Sequence, residues 1–279
     1  MNLDIRAFGR FIFWRFPVKL LPLLTQTRYK IKYKYIIRTR KIDGLIELTE
    51  KNSSSTVNTI NFFHPQRVTR YSMGIQERID KLLREYCVDQ ITDLADGVYL
   101  DIGSNIGEFS LGISTRFPSA RFIRFEPSAN ECSASKKNLQ HCNDTLFQVL
   151  LWKEESELVF HLGNETGDSS IFPAGNLKKS VRIQTSTLDK VMNQLSIGMI
   201  ELIKLEAEGA EPEILLGGQE TLEKSRYVVA DLGPERGADL EETFESSNRI
   251  LEQYGFELIG RYELGRKCYL FRNKRFNYY

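Results

Sequence analysis

VYLDIGSNIGE, residues 98–108, is the stretch whose reading decides the fold. Val98–Leu100 is a short apolar run suited to a buried strand, which places Asp101 at the strand's carboxyl end. Gly103 and Gly107 then open a turn before the apolar-periodic segment Phe109–Phe117. Glycines there let the backbone bend sharply and approach a ligand, and the helix that follows presents free N–H groups. The spacing is G-x-x-x-G, not the G-x-G-x-x-G of pyrophosphate binders, and many such turns bind nothing. A second acid strengthens the reading. Arg121–Glu126, RFIRFE, predicts the next strand and ends in Glu126-Pro127. An acid about 20 residues beyond the glycine turn is placed to accept both ribose hydroxyls of an adenosine. The plainer alternative is that Glu126 caps a helix over 128–140, where a carboxylate is favourable anyway. With Asp101 and the glycines beside it, the adenosine reading is preferred.

The pattern around this stretch is regular. Helical spacing of apolar residues runs over Ile75–Ala95, followed by strand 98–102, helix 108–117, strand 121–126, helix 128–140 and strand 145–151. Residues 157–184 read as a β excursion around the loop GNETGDSS. Strand 200–205, helix 211–216, strand 226–231, helix 239–254 and a strand pair, 256–262 and 267–272, complete the chain. Strand-helix alternation predicts an α/β fold with a parallel sheet covered on both faces. Ending on two consecutive strands predicts a hairpin that puts one antiparallel strand into the sheet.

Chemistry concentrates a second time in Met199–Gly209, MIELIKLEAEG. The strand Ile200–Leu205 delivers Lys204, Glu206, Glu208 and Glu211 at or beyond its carboxyl end, where open α/β sheets bind ligands. Crowded carboxylates raise one another's proton affinity, which suits a general base; they could equally hold a divalent cation. Helix-start charge at Glu211 and a simple Lys–Glu pair is the plainer alternative.

Together these residues resemble the FkbM-type methyltransferases. The resemblance rests on D-I-G-S-N-I-G (101–107), F-E-P (125–127), Asn138, the serine pair 169–170, T-L-D (187–189) and I-K-L-E-A-E-G-A-E (203–211). It covers about residues 74–272. It implies a class I methyltransferase: a Rossmann-like, seven-stranded, mostly parallel sheet with one antiparallel strand, with S-adenosylmethionine as cofactor. It also implies, most often, O-methylation of sugars or natural products. Carried over, Asp101, Gly103, Asn105 and Gly107 line the methionine and ribose end of the donor site, and Glu126 binds the ribose hydroxyls. Lys204, Glu206, Glu208 and Glu211 form the motif beside the transferred methyl, and one of the three glutamates accepts the hydroxyl proton, with His161 an outsider. Glu206 departs from the usual Asp, and Asp231 stands where the family often has Glu.

The first 70 residues match none of this and form a predicted N-terminal extension, with the methyltransferase domain over 71–279. Residues 1–41 carry eleven Lys/Arg against Asp4 alone, so the chain's net +1 hides a basic end and an acidic remainder. Residues 2–24 predict an interrupted helix rich in Phe and Arg, which fits either a peripheral membrane contact through 1–41 or packing on the main domain or a second subunit, so that a homo-oligomer stays open. Tyr29–Tyr35, YKIKYKY, alternates strictly and predicts a strand with one lysine face. Asp43-Gly44 before Leu45–Thr49 predicts a β-hairpin, and Lys51–Asn61 a loop. The longest uncharged run of the N-terminal apolar region, Leu20–Thr27, is far short of the roughly 20 residues a span needs. Scattered Cys87, Cys132, Cys142 and Cys268 suit a reducing compartment and argue against a zinc site. These features predict a cytoplasmic enzyme, with the membrane's cytoplasmic face open to it, acting on a small-molecule or glycan acceptor; they speak against a nucleic-acid substrate, because the body is acidic and a D/N-P-P-Y/F-type motif after the fourth strand is lacking. The rival reading is a methyltransferase fold without turnover, working as a membrane-surface or assembly module.

Overall fold

The computed structural model describes residues 36–51, 57–163, 169–172 and 179–276. The expected helix over 2–24 and the lysine-faced strand 29–35 lie outside them. The chain divides into two compact units, Met1–Arg78 and Ile79–Tyr279. In the first, β1 (Ile36–Ile42), β2 (Leu45–Lys51) and β3 (Val57–Phe62) form an antiparallel sheet in that order. The β1–β2 turn is the expected Asp43-Gly44, both with positive φ (50° and 80°), as a type I′ hairpin requires. β3 corrects the expectation of a loop through Asn61. Ile60 and Phe62 alternate with polar residues and are fully buried, while β2 supplies the backbone partners.

Helix α1 (Ile75–Glu85) is shorter than the predicted 75–95, because Cys87 adopts a left-handed φ of 54° and breaks the hydrogen-bond ladder. After it come β4 (Val98–Ile102), α2 (Glu108–Arg116), β5 (Arg121–Phe125), α3 (Ala129–Asn138) and β6 (Asn143–Phe147). The expected strand 145–151 is two pieces: β7 (Leu150–Leu151) leaves the main sheet and pairs with β9. β8 (Glu157–His161) and β9 (Ser180–Ser186) are the β excursion. Then follow α4 (Leu188–Met192), β10 (Ile200–Leu205), α5 (Glu211–Leu216), α6 (Gln219–Glu223) and β11 (Ser225–Asp231). The predicted helix 239–254 begins only at Phe244. A small hairpin, β12 (Pro234–Arg236) and β13 (Glu241–Glu242), precedes α7 (Phe244–Gln253). β14 (Phe256–Tyr262) and β15 (Cys268–Asn273) close the chain's sheet.

The main sheet has seven strands in the order β14-β15-β11-β10-β4-β5-β6. β15 runs antiparallel to both neighbours, and the pairs among β11, β10, β4, β5 and β6 are parallel. This is the expected α/β class I architecture with a single antiparallel strand. Period-two alternation sends side chains into two cores. Leu100, Ile102, Ile203, Leu205 and Val228 pack with residues of α4 to α7 on one face. Tyr99, Phe122, Leu202 and Val229 pack with Leu82, Leu83, Phe109 and Ile113 on the other. Each such fully buried apolar side chain contributes about 1.5–3 kcal/mol of transfer free energy, which is why the central strands are apolar on both faces.

The sheet order reverses between β4 and β10: the chain steps outward from β4 to β5 and β6, then returns to β4's other side. Lys204 and Asp101 are direct neighbours across that seam. A crevice outside the carboxyl ends of the strands at such a reversal is where α/β sheets bind ligands.

Candidate active site

The loop after β4 is shaped by its backbone. Gly103, Asn105 and Gly107 have φ of 68°, 49° and 83°. The first needs its bare Cα, because a Cβ there would sit 1.7 Å from the carbonyl oxygen of Glu206. The β4 and β10 loops therefore touch backbone to backbone, and the Glu206 N–H donates to the Ile102 carbonyl at 3.2 Å. The loop is pinned from outside as well. Ser104 N–H donates to Phe125 O at 2.9 Å, and Asn138 Nδ2 donates to Ile106 O at 2.8 Å.

Glu126, just beyond β5, joins this loop. One carboxylate oxygen accepts from Asn105 N–H and the other from Ser128 N–H, each at 2.9 Å. The helix-start contact expected of Glu126 is present, since Ser128 opens α3, and the same carboxylate ties down the β4 loop through Asn105. Burial pushes the Glu126 carboxyl up to about 7, against the two N–H donors that favour its charged form.

The loop after β10 is held by charge. Lys204 is buried, donates to the Ile102 and Gly103 carbonyls at 3.1 and 2.7 Å, and lies 3.2 Å from Asp101 and 3.3 Å from Glu206. Burial disfavours the ammonium, but Asp101 and Glu206 outweigh it and raise its proton affinity. Asp101 also accepts from Ser110 Oγ at 2.7 Å. Glu206 takes Tyr86 Oη at 2.6 Å on one oxygen and Arg266 on the other. Arg266 donates in addition to Asp231 at 2.8 Å and to Tyr86 Oη at 3.1 Å. Burial favours neutral Glu206, yet Arg266 and then Lys204 overcome it and hold the carboxyl well below the usual range. A carboxylate so clamped is a poor proton acceptor.

Glu211 is spent differently. It accepts from Ala207 N–H at 2.8 Å, Gly209 N–H at 3.2 Å and Thr243 Oγ1 at 3.0 Å, closing the turn on itself. Burial still pushes it up to about 7. That turn holds Glu208 at φ 50°, a left-handed conformation unfavourable for a side-chain-bearing residue. Two outside contacts fix it there. Ser170 Oγ donates to Glu208 O at 2.8 Å, and Arg236 donates to Gly209 O at 3.3 Å while pairing with Glu213 at 2.8 Å.

The sequence reading named Asp101, Gly103, Asn105, Gly107, Glu126, Lys204, Glu206, Glu208 and Glu211; all lie at or just beyond the carboxyl ends of β4, β5 and β10, with Asp101 and Lys204 each the last residue but one of its strand and Glu211 opening α5. Asp101, Lys204 and Glu206 are in direct contact. His161 is on β8, where its backbone pairs both ways with Ser170. The Thr187–Asp189 string serves structure: Thr187 caps α4, and Asp189 accepts the Glu220 and Thr221 N–H groups at 2.9 and 2.8 Å. Tyr86, Arg236 and Arg266 were not foreseen, and Asp231 was noted without a role. Nothing local in the sequence marks them, because each reaches the site only through the sheet order. Among the described residues, no cluster of three or more His, Cys, Asp or Glu is arranged to hold a metal ion, and no helix is long and apolar enough to cross a membrane.

Comparison with known proteins identifies the family. The profile of the methyltransferase FkbM domain matches residues 101–258. The 2-O-methyltransferase NoeI of Sinorhizobium fredii is 24% identical over 218 residues, covering 72% of this chain and 88% of that protein. The hexuronic acid methyltransferase AglP of Haloferax volcanii is 24% identical over 146 residues, covering 49% of this chain and 56% of that protein. Magnesium protoporphyrin IX methyltransferase ChlM of Synechocystis PCC 6803, crystallised with bound SAM, superposes with a TM-score of 0.43 at 12% identity, covering 74% of this chain and 83% of that one.

Proposed function

The chain belongs to the FkbM methyltransferase family and uses S-adenosylmethionine, and from that premise we propose that it O-methylates a sugar hydroxyl on a glycan, glycolipid or related metabolite. O-methylation is supported by the 2-O-methyltransferase relative, and a sugar acceptor by the hexuronic acid methyltransferase. The observation that carries the hydroxyl chemistry is Glu208, a carboxylate kept in an unfavourable left-handed conformation at the sheet's reversal point by Ser170 on its own carbonyl and by Arg236 and Glu211 on the adjoining Gly209. Backbone strain maintained by its surroundings is a mark of a functional position.

The residues fit the donor. Asn105 Oδ1 and Ser104 Oγ are buried without a hydrogen-bond partner, and both stand in the β4 loop. Glu126 accepts only one N–H on each oxygen, which leaves acceptor capacity for a ribose diol. In this reading Asp101, Gly103, Asn105, Gly107 and Glu126 hold the donor, which supplies a methyl group already activated on a sulfonium. The protein's part is alignment and proton removal. Lys204 ties the β4 and β10 loops together, Glu206 is locked by Arg266, and Glu211 braces the turn. Glu208 takes the proton from the acceptor hydroxyl.

The test is a panel of free hexoses and uronic acids, read as S-adenosylhomocysteine formed. Glu208→Gln lowers turnover about 100-fold or more while donor affinity measured by calorimetry stays unchanged. Equal loss of donor affinity removes Glu208 from the proton-transfer role, and a wild type silent on the whole panel removes the sugar.

A further inference from the structure

The serine pair 169–170 stands outside the donor loops, yet it leads to the Glu208 turn. Ser169 Oγ accepts from Gly163 N–H at 2.9 Å, and the Ser170 backbone pairs both ways with His161 on β8, at 2.8 and 3.0 Å. Ser170 is thereby tied to the β excursion. Its buried hydroxyl accepts from Phe172 N–H at 2.9 Å and donates to the Glu208 carbonyl at 2.8 Å. A hydroxyl has one proton to give, so with Phe172 N–H on a lone pair that proton is committed to Glu208.

A second arm reaches the same turn from β12. Arg236 donates to Gly209 O at 3.3 Å and meets Glu213 on α5 as a fork, at 2.8 and 3.1 Å, which fixes the plane of its guanidinium. Its backbone is close as well: a Cβ on Gly209 would fall 2.9 Å from Arg236 Cα. The two arms are also joined to each other. Arg236 lies 4.0 Å over the ring of Phe172, two residues beyond Ser170.

Two segments far apart in sequence thus converge on adjacent carbonyls, those of Glu208, at φ 50°, and of the glycine after it, at φ 97°. Closing the turn does not require them, because Glu211 already accepts from Ala207 and Gly209 N–H. Holding a strained residue in one place does. We propose that Ser170 and Arg236 are positioning residues for methyl transfer: joined through Phe172, they form one clasp that keeps the Glu208 turn left-handed and so aims its carboxylate at the acceptor hydroxyl. The inference rests on the reading of Glu208 as the proton acceptor. Misplacing a reacting group by about 1 Å costs up to about 100-fold in rate, and the loss falls on turnover while the donor loops after β4 and β5 keep their affinity.

The experiment measures kcat and acceptor KM on the panel of hexoses and uronic acids, and donor affinity by calorimetry, for Ser170→Ala, Arg236→Gln and their double variant, each with Glu208 present and as Glu208→Gln. Either single change lowers kcat at least about tenfold and leaves acceptor KM and donor affinity in place. Ser170→Thr, which keeps the hydroxyl, recovers most of the loss. The double variant loses no more than the worse single, because one clasp is opened either way, and in Glu208→Gln none of these changes costs anything further. Equal losses with and without the Glu208 carboxylate would make the clasp a general support and overturn the proposal. Wild-type kcat in Ser170→Ala, with Glu208→Gln inactive, overturns the clasp alone; wild-type turnover in Glu208→Gln removes the proton-acceptor reading, and the clasp's part in catalysis with it. Should Arg236→Gln fail to fold, Ser170→Ala, which removes a single oxygen, still decides. Hydrogen exchange needs no acceptor: the Ala207 and Gly209 amides exchange at least about tenfold faster in Ser170→Ala, and unchanged protection overturns the clasp even where no sugar on the panel reacts.

Discussion

The loops after β4 and β10 lie side by side at the same reversal of the sheet, yet they are built from different materials. The first is backbone: left-handed turns, N–H donors and a glycine whose missing Cβ admits the neighbouring chain. The second is side-chain charge: Lys204, Glu206, Arg266 and Asp231 satisfying one another out of water. Glu126 and Glu206 show what this means chemically. Glu126 is buried and Glu206 half-buried; the first faces N–H dipoles and is pushed up to about 7, whereas the second faces two full cations and is held well below the usual range. Burial raises the proton affinity of both; at Glu206 two cations, helped by the Tyr86 hydroxyl, reverse it, and at Glu126 two N–H donors do not.

The sharpest way to break this contrast is at the contact between the loops. Gly103→Val places carbon where the Glu206 carbonyl oxygen already is, so neither loop can keep its course. The expected loss is on the order of 4 kcal/mol or more, read as the urea midpoint or as failure to accumulate folded protein. A wild-type midpoint would show that the loops separate without cost. The same variant is accordingly a poor probe of donor binding, which is better tested at Glu126.

The charged loop is broken by Arg266→Met, which strands Glu206 and Asp231. Removing one partner of a buried pair costs about 3 kcal/mol. The pH dependence carries the sign. Folded Glu206 binds its proton less readily than the unfolded chain, whose reference is 4.5, so its contribution is full at neutral pH and is lost as pH falls below about that value. In Arg266→Met that acid-side loss shrinks. Chemical denaturation from about pH 3 to 7 measures both effects, and an unaltered acid limb would mean that Arg266 is not what holds Glu206 ionised.

How much of this was legible in the sequence follows the same divide. The β4 loop could be read because backbone constraints are local: glycine spacing, a strand before it, a helix after it. The string Lys204 to Glu211 was also contiguous, so its residues could be named. Their division of labour could not. Three glutamates within six positions were equivalent as candidate bases until Arg266, on the far hairpin, and Thr243, at the start of α7, committed two of them. β3 and the early end of α1 were missed for a related reason, since tertiary pairing and one left-handed residue outweighed the local pattern.

Glu126 sharpens the comparison on the backbone side with an opposite sign. Folded Glu126 binds its proton more readily than the unfolded chain, so stability falls as pH rises from about 4.5 to about 7. Glu126→Gln removes that fall, roughly 3 kcal/mol over the range, and weakens donor binding at least about tenfold if the ribose loses a charged acceptor. Calorimetry above neutral pH reads the second effect. A variant that binds donor as well as wild type assigns Glu126 to capping alone.

The smallest expected change runs in the stabilising direction. Glu208 is the one glutamate of the string whose backbone is strained, at φ 50°. Glycine adopts that conformation without a Cβ penalty, so Glu208→Gly should gain about 1 kcal/mol in urea unfolding, less whatever its side chain contributes. The same substitution removes the proposed proton acceptor, so methyl transfer should collapse while the protein grows more stable. Function and stability are then opposed at a single residue, as expected where a fold holds a side chain in a costly position for chemistry. If Glu208→Gly is instead less stable, the side chain is part of the turn's structure, and the proton acceptor must be sought elsewhere in the crevice.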